Sequence, residues 1–132
     1  AAKGMRAVLG GGGLCVIVSD FLDPSGALAA AGRLRRQGHD VALLRVLTSF
    51  ERDPVGLDGA VLEDEETGEG LLLPRSGVRA RYRAVFDAHS EELERGAARL
   101  GAPFLDVNTN DAFDAVLGCA ITRGLLSARG AL

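Results

Sequence analysis

The stretch Leu14-Cys15-Val16-Ile17-Val18 limits what this chain can fold into more than any other. Its apolar residues, three of them β-branched, end abruptly in Ser19-Asp20, and Asp23-Pro24 then opens a helical pattern. A short continuous apolar run bounded in this way predicts a buried parallel strand that delivers polar side chains at its carboxyl end. In open α/β sheets, ligands bind in the crevice at that end.

The pattern that follows is a βαβ unit. Asp23 suits an N-cap and Pro24 the first helical position, where its missing N–H is no loss. Leu28, Ala31 and Leu34 form the apolar stripe, Arg33, Arg35 and Arg36 the wet face, and Gly38 the stop. A second strand is predicted from Asp40 to Leu47, and residues 48 to 59 read as loop. Two apolar runs, 60–64 and 70–74, flank a Gly-bearing acidic turn at 65–69 and predict a β-hairpin appended to the sheet edge. The acidic cluster from Glu63 to Glu69 has no ligand spacing and reads as a solvated tip.

Ser76 is expected to cap a long helix with a stripe of Val78, Tyr82, Val85, Phe86, His89, Leu93, Ala97 and Leu100, ended by Gly101. His89 on that stripe reads as a partly buried or backbone-bonded histidine rather than a catalytic base, since no Cys or Ser nucleophile is near it in the pattern. Residues 103–107 form a third strand, and Asn108 to Asp111 supply turn and cap. A final helix, about 112–129, is expected to bury Phe113, Val116, Leu117, Ala120, Ile121 and Leu125. The order is β-α-β-(hairpin)-α-β-α, half of a doubly wound, mostly parallel, three-layer α/β sheet. Two right-handed crossovers running in one direction put both crossover helices on one face and leave the last helix for the other. The first strand then has an edge with no partner, which predicts that another strand pairs beside residues 14–19, from upstream or from a second copy.

Composition excludes several classes. The chain has 132 residues, a net charge of −3 and mixed charges along its length, so it lacks the electrostatic footprint of a nucleic-acid or anionic-membrane binder. One Tyr, five Phe and no Trp also leave few stacking platforms for single strands. No apolar run approaches the roughly 18 residues of a spanning helix. Cys15 and Cys119 are too few for a disulfide framework and read as small core residues in a reducing compartment. Gly10 to Gly13 precede the strand, and no Gly-Lys-Ser/Thr follows them, so they predict a linker rather than a phosphate loop. Residues 1–13 thus read as a helix remnant plus Gly-rich linker and 14–132 as the domain. The opening Ala1-Ala2-Lys3-Gly4-Met5 suggests a piece cut from, or tagged onto, something longer.

Several residues in order resemble a family. Val16 to Asp23, His39-Asp40-Val41, Glu51-Arg52, Glu66-Thr67-Gly68-Glu69, Arg81-Tyr82 and Asn108-Thr109-Asn110 with Phe113 are similar to the C-terminal half of the DUF58 proteins. The resemblance covers about residues 14–129. It implies a von Willebrand factor A-like (vWA-like) domain acting in protein–protein interaction beside a MoxR-type AAA+ ATPase, without enzymatic activity. It also implies a cytoplasmic segment, with membrane tethering left to a longer parent. In such domains a divalent cation, usually Mg²⁺, sits over the carboxyl edge of the sheet and a partner's acidic residue completes its coordination. An Asp-x-Ser-x-Ser loop, a Thr loop and an Asp after the fourth strand hold it, and Ser19-Asp20 match the last of these. The Asp-x-Ser-x-Ser loop is absent here. Asp23-Pro24-Ser25-Gly26-Ala27 mimics its start but ends in Ala, and Thr48 stands where the family has an Asp. The expected metal residues, Asp20 and Ser19, therefore form an incomplete site.

Two alternatives remain open at this point. A small α/β phosphotransferase or hydrolase could use Asp20 as nucleophile, although that chemistry asks for Asp-x-Asp spacing and a lysine, whereas Asp20 and Asp23 are three apart and Lys3 is the only lysine. The chain could also be a scaffold fragment without ligand, oligomerising to hide its open edge.

Overall fold

A computed structural model describes residues 12–64 and 66–126. The predicted helix remnant and the first half of the Gly-rich linker, Gly10 and Gly11, lie outside the described residues. Three parallel strands, β1 (Leu14–Ser19), β2 (Asp40–Leu47) and β5 (Phe104–Asn108), form one sheet in the order β1-β2-β5. The register pairs Ser19 with Arg45 and Arg45 with Asp106 across the three strands.

Helix α1 (Pro24–Arg36) begins as its sequence directs. Asp23 Oδ1 accepts hydrogen bonds from Gly26 N at 3.0 Å and Ser25 Oγ at 2.7 Å. The Ser25 hydroxyl and the Gly26 amide hold the Asp23 carboxyl below the usual carboxylate range. The Asp-Pro-Ser-Gly sequence is thus occupied in capping. Gly38, at φ 90°, turns the chain into β2 in a conformation that side-chain-bearing residues avoid.

Helix α3 (Val78–Arg99) packs on α1, with Gly96 placed so close that a Cβ there would lie 2.2 Å from Leu28 Cδ1. Its buried side runs through Leu93, Gly96 and Ala97, with Tyr82, Phe86, His89 and Leu100 half-buried. Val85, expected on that stripe, is exposed, because at about 100° per residue it falls on the stripe's outer edge, just beyond Val78. Ser76 does not cap this helix either. The N-cap is Gly77, at φ 80°, and the Val78 amide is satisfied by Asp58 Oδ1 at 3.0 Å.

One core joins α1 and α3 to the sheet through Cys15, Phe21, Leu34, Val41, Leu43 and Leu93. On the other face, helix α4 (Phe113–Thr122) and the turn after it cover Ala42, Leu105 and Val107 with Ala120 and Leu125. The two crossover helices thus share one face and the last helix takes the other, as the connectivity predicts. Helix α4 is shorter than expected, and Phe113, Leu117 and Ile121 are exposed rather than buried. It meets β5 and turns Val116 and Ala120 to the sheet, so its other apolar side is left uncovered among the described residues. Cys119, expected in the core, is also exposed, whereas Cys15 is buried. The α4 N-cap is Ala112 without a side-chain cap, because Asp111 instead accepts from the Asn108 amide at 2.7 Å.

The hairpin differs from expectation in its attachment. Strands β3 (Val61–Glu63) and β4 (Gly70–Leu72) pair antiparallel with each other and form a separate two-stranded sheet, unattached to the parallel one. Val61, Leu62, Leu71 and Leu72 stay exposed on it. At its tip, Asp64 Oδ1 accepts from the Glu66 and Thr67 amides at 2.8 and 2.9 Å, which lowers the Asp64 pKa and accounts for the acidic turn. No helix among the described residues is long and apolar enough to cross a membrane.

Candidate functional site

The carboxyl ends of β1 and β2 carry the polar residues that the apolar strands deliver. Asp20 is exposed just past β1, and its Oδ1 accepts from the Leu22 amide at 3.2 Å and the Ser19 hydroxyl at 3.3 Å. Ser19 Oγ in turn accepts from the Phe21 amide at 3.1 Å. Between them the backbone takes an unusual path: Phe21 has φ 55°, and it is the only non-glycine residue with positive φ among the described residues. Its ring is buried to 1% exposure and anchors the turn that presents Asp20.

After β2 the chain forms a short helix, α2 (Ser49–Arg52), where a loop was expected. Thr48 and Glu51 make a capping box. Thr48 Oγ1 accepts from the Glu51 amide at 3.1 Å, and Glu51 Oε2 accepts from the Thr48 amide at 2.6 Å and its hydroxyl at 2.7 Å. The Thr48 amide and hydroxyl pull the Glu51 pKa down, against an opposing push from Asp20 nearby.

Beneath these carboxylates lies a buried ionic cluster. Arg45, only 2% exposed, donates from Nη2 to Asp106 Oδ2 at 2.5 Å and from Nη1 to Ser90 Oγ at 3.0 Å. Its guanidinium lies 5.2 Å from the Phe86 ring centre and 5.6 Å from that of Phe104, within cation–π range. Arg52 approaches the same carboxylate, with Nη2 2.6 Å from Asp106 Oδ1. Two arginines therefore share one aspartate.

A cavity of about 190 Å³ opens between α3 and these strand ends. Its deeper lining is Arg45, Leu47, Phe86 and His89, and its rim is Asp20, Leu22, Glu51, Tyr82 and Val85. This is the position that the strand argument assigns to a ligand. Tyr82 stacks on Phe86 at 6.1 Å and donates its hydroxyl to the Glu51 carbonyl. His89 is partly buried, as expected, and its Nε2 is shielded without a partner.

Burial, reinforced by the charge of Glu51, raises the Tyr82 pKa. The neutral phenol is thus favoured in the folded state, so this group's contribution is intact below about pH 10, the unfolded value, and is lost as pH rises through the higher folded value. Tyr82 is the only tyrosine. A near-UV absorbance titration should therefore show one tyrosinate transition above the ordinary range, returning to it in urea. A transition at the ordinary value in folded protein would contradict this environment.

The structure brings Ser19 and Asp20 together but adds no further metal ligand. Among the described residues no group of three or more His, Cys, Asp or Glu side chains could hold a metal ion. The Ser19 hydroxyl is already engaged on both sides. These residues therefore do not fit Mg²⁺ by themselves. Nor is there a second carboxylate in Asp-x-Asp relation to Asp20, and the second acid at the rim is Glu51, from another element.

Sequence reasoning missed Arg45, Asp106 and Glu51. A charged residue inside an otherwise apolar strand was visible at both Arg45 and Asp106, and buried charges come paired. The Thr-x-x-Glu spacing of the capping box was visible too.

No family model matches the chain, and no curated protein or solved structure matches it.

Proposed function

We propose that this chain is a non-enzymatic protein–protein interaction module, the second half of a vWA-like doubly wound sheet of the DUF58 type, which self-associates through β1 and acts with a MoxR-type AAA+ ATPase. The observation that carries the reading is that β1 has no strand on its outer side among the described residues, beside exposed apolar side chains: Val16 and Val18 are 41% and 59% exposed. Parallel strands are normally covered on both faces and flanked on both sides, and an open apolar edge is a template for pairing.

The strand order adds support. In a 3-2-1-4-5-6 sheet the second half runs outward from a central strand, and ligands gather where the order reverses. The order β1-β2-β5 is compatible with such a half, and in this reading β1 is the strand next to the reversal, with Asp20 just past its carboxyl end. In this reading the divalent site of the family needs ligand loops from outside the described residues, with Asp20 supplying one ligand. Self-association of the chain is then independent of Mg²⁺.

Light scattering over a concentration series tests this. The expected result is a dimer of unchanged mass with or without Mg²⁺, which Val18→Lys converts to a folded monomer by circular dichroism, since an edge lysine opposes strand pairing. A wild-type chain that stays monomeric throughout would overturn self-pairing. Failure of a MoxR-type ATPase to co-migrate with the chain in gel filtration would remove that partner.

A further inference from the structure

Two surfaces on the α4 side of the sheet lack cover, and each fits what the other needs. Val16 and Val18 pair in register with Ala42 and Leu44 of β2, which belong to the core that Ala120 and Leu125 close. Both valines therefore point to the α4 face of the sheet. Helix α4 leaves them exposed. It turns Val116 and Ala120 to the sheet, while Ala115 and Cys119 line a cavity whose strand residues all belong to β5, the end strand. At about 100° per residue, Phe113, Leu117 and Ile121 then occupy the opposite flank, the one toward β1. The result is an apolar notch with the two valines as floor and that flank as wall.

The helix is itself short of cover. Of its ten residues only Ala120 is buried, yet Asp114 and Thr122 are its only charged or hydroxyl side chains. A helix apolar nearly all round belongs inside a structure, covered on its outer side as well. That outer side is centred on Gly118, opposite Val116 and Ala120, with open space where a Cβ would stand. Each copy of the chain thus has half a sheet face without a helix, and a helix without an outer layer.

We propose that two copies of the chain pack face to face, the α4 of each seated in the notch of the other. The two helices lie side by side through Phe113, Leu117 and Ile121, and the Gly118 side of each meets Val16 and Val18 of the other copy. Val16, Val18, Phe113, Leu117 and Ile121 together expose on the order of 500 Å², within the roughly 300–600 Å² of the largest apolar patch on a typical monomer. Covering that patch in both copies removes roughly 1,000 Å², the area a specific interface has to clear. A two-fold arrangement buries the same patch on both sides and closes at two copies. The inference rests on the reading of the chain as self-associating, and it places the contact on the apolar face of β1 and on α4.

Gly118→Arg tests the fit without threatening the fold, since the new side chain meets open space in the single chain and arginine is a better helix former than glycine. Light scattering over a concentration series should show a wild-type dimer that Gly118→Arg and Ile121→Lys each weaken about a hundredfold or more, the effect of forcing a charge into an apolar contact. Circular dichroism should stay that of the wild type. Cross-linking adds a positional readout. In a Cys119→Ser background, where buried Cys15 is the only native thiol left, Leu117→Cys should link two chains by a disulfide on mild oxidation. Leu117 lies at mid-helix and meets its own counterpart whether the helices run parallel or antiparallel. Ala115→Cys, on the flank toward β5, should not cross-link.

The outcomes separate this inference from the reading beneath it. A wild-type chain that is monomeric throughout removes both. A dimer of unchanged affinity in Gly118→Arg and Ile121→Lys overturns the inference alone and leaves the backbone edge of β1 as the contact. Cross-linking through Ala115→Cys and not through Leu117→Cys overturns it as well.

Discussion

Asp106→Ala should cost about 3–5 kcal/mol of folding stability, the range for stripping the partner from a buried charge. Arg45 is 2% exposed and lies over the Phe86 and Phe104 rings, so neutral water entering beside the 23%-exposed Asp106 position does not balance its charge. Ser90 would remain as a neutral acceptor, which cannot balance the charge. Such a loss is a large share of the roughly 5–15 kcal/mol that a domain of this kind has. Arg52→Ala should behave differently, costing about 1 kcal/mol or less, because Arg52 is partly solvated and Asp106 keeps its bond to Arg45. The double replacement Arg45→Met with Asp106→Leu should recover most of the Asp106→Ala loss, since apolar residues of similar volume often substitute for a buried ion pair. Urea unfolding followed by circular dichroism measures all three. An Asp106→Ala loss below about 1 kcal/mol would show that the pair contributes no more than a surface salt bridge does.

The same pair shows what was legible in the sequence. Strand β2 was readable to its ends because its apolar run is bounded by Asp40 and Thr48, and its near-continuous hydrophobicity marked it as central. That continuity hid Arg45, which a tally of apolar residues absorbs as noise. Its meaning emerges only from register, because Arg45 is opposite Asp106 on neighbouring strands, sixty-one residues apart in the chain. The sheet order and the split of helices between faces were likewise accessible, because handedness rules act on connectivity alone.

Coverage was not legible in the same way. The spacing of Val116, Ala120 and Leu125 correctly marks the side of the final helix that meets the sheet, and Phe113, Leu117 and Ile121 carry an equally apolar pattern. Which of the two sets is buried depends on where a ten-residue helix rests across a three-strand sheet, and periodicity carries no such information. The exposed set, together with Val16 and Val18, is the apolar surface that the proposed assembly must cover. At the candidate site, Asp20 was visible as the polar end of an apolar strand. Glu51, Tyr82 and His89 join it only after α2 and α3 fold over the strand ends.

Phe21 is where stability and site geometry meet, and its variants should rank in an unusual order. Phe21→Ala empties a fully buried aromatic position and should cost about 3–5 kcal/mol. Phe21→Gly removes the same ring but suits the φ of 55°, which is unfavourable for any residue with a Cβ. In most positions glycine is the worse replacement. Here it should be the better one, by up to about 1 kcal/mol over alanine, provided the backbone keeps its left-handed turn. That turn is closed by side chains on either side, through the Phe21 amide to Ser19 Oγ and the Leu22 amide to Asp20 Oδ1. The buried ring therefore holds a strained residue in place, and the strain aims Asp20 at the rim of the cavity. Parallel urea unfolding of the two variants decides the matter. If alanine proves equal to or better than glycine, the turn relaxes once the ring is gone, and the placement of Asp20 then owes nothing to the backbone at Phe21.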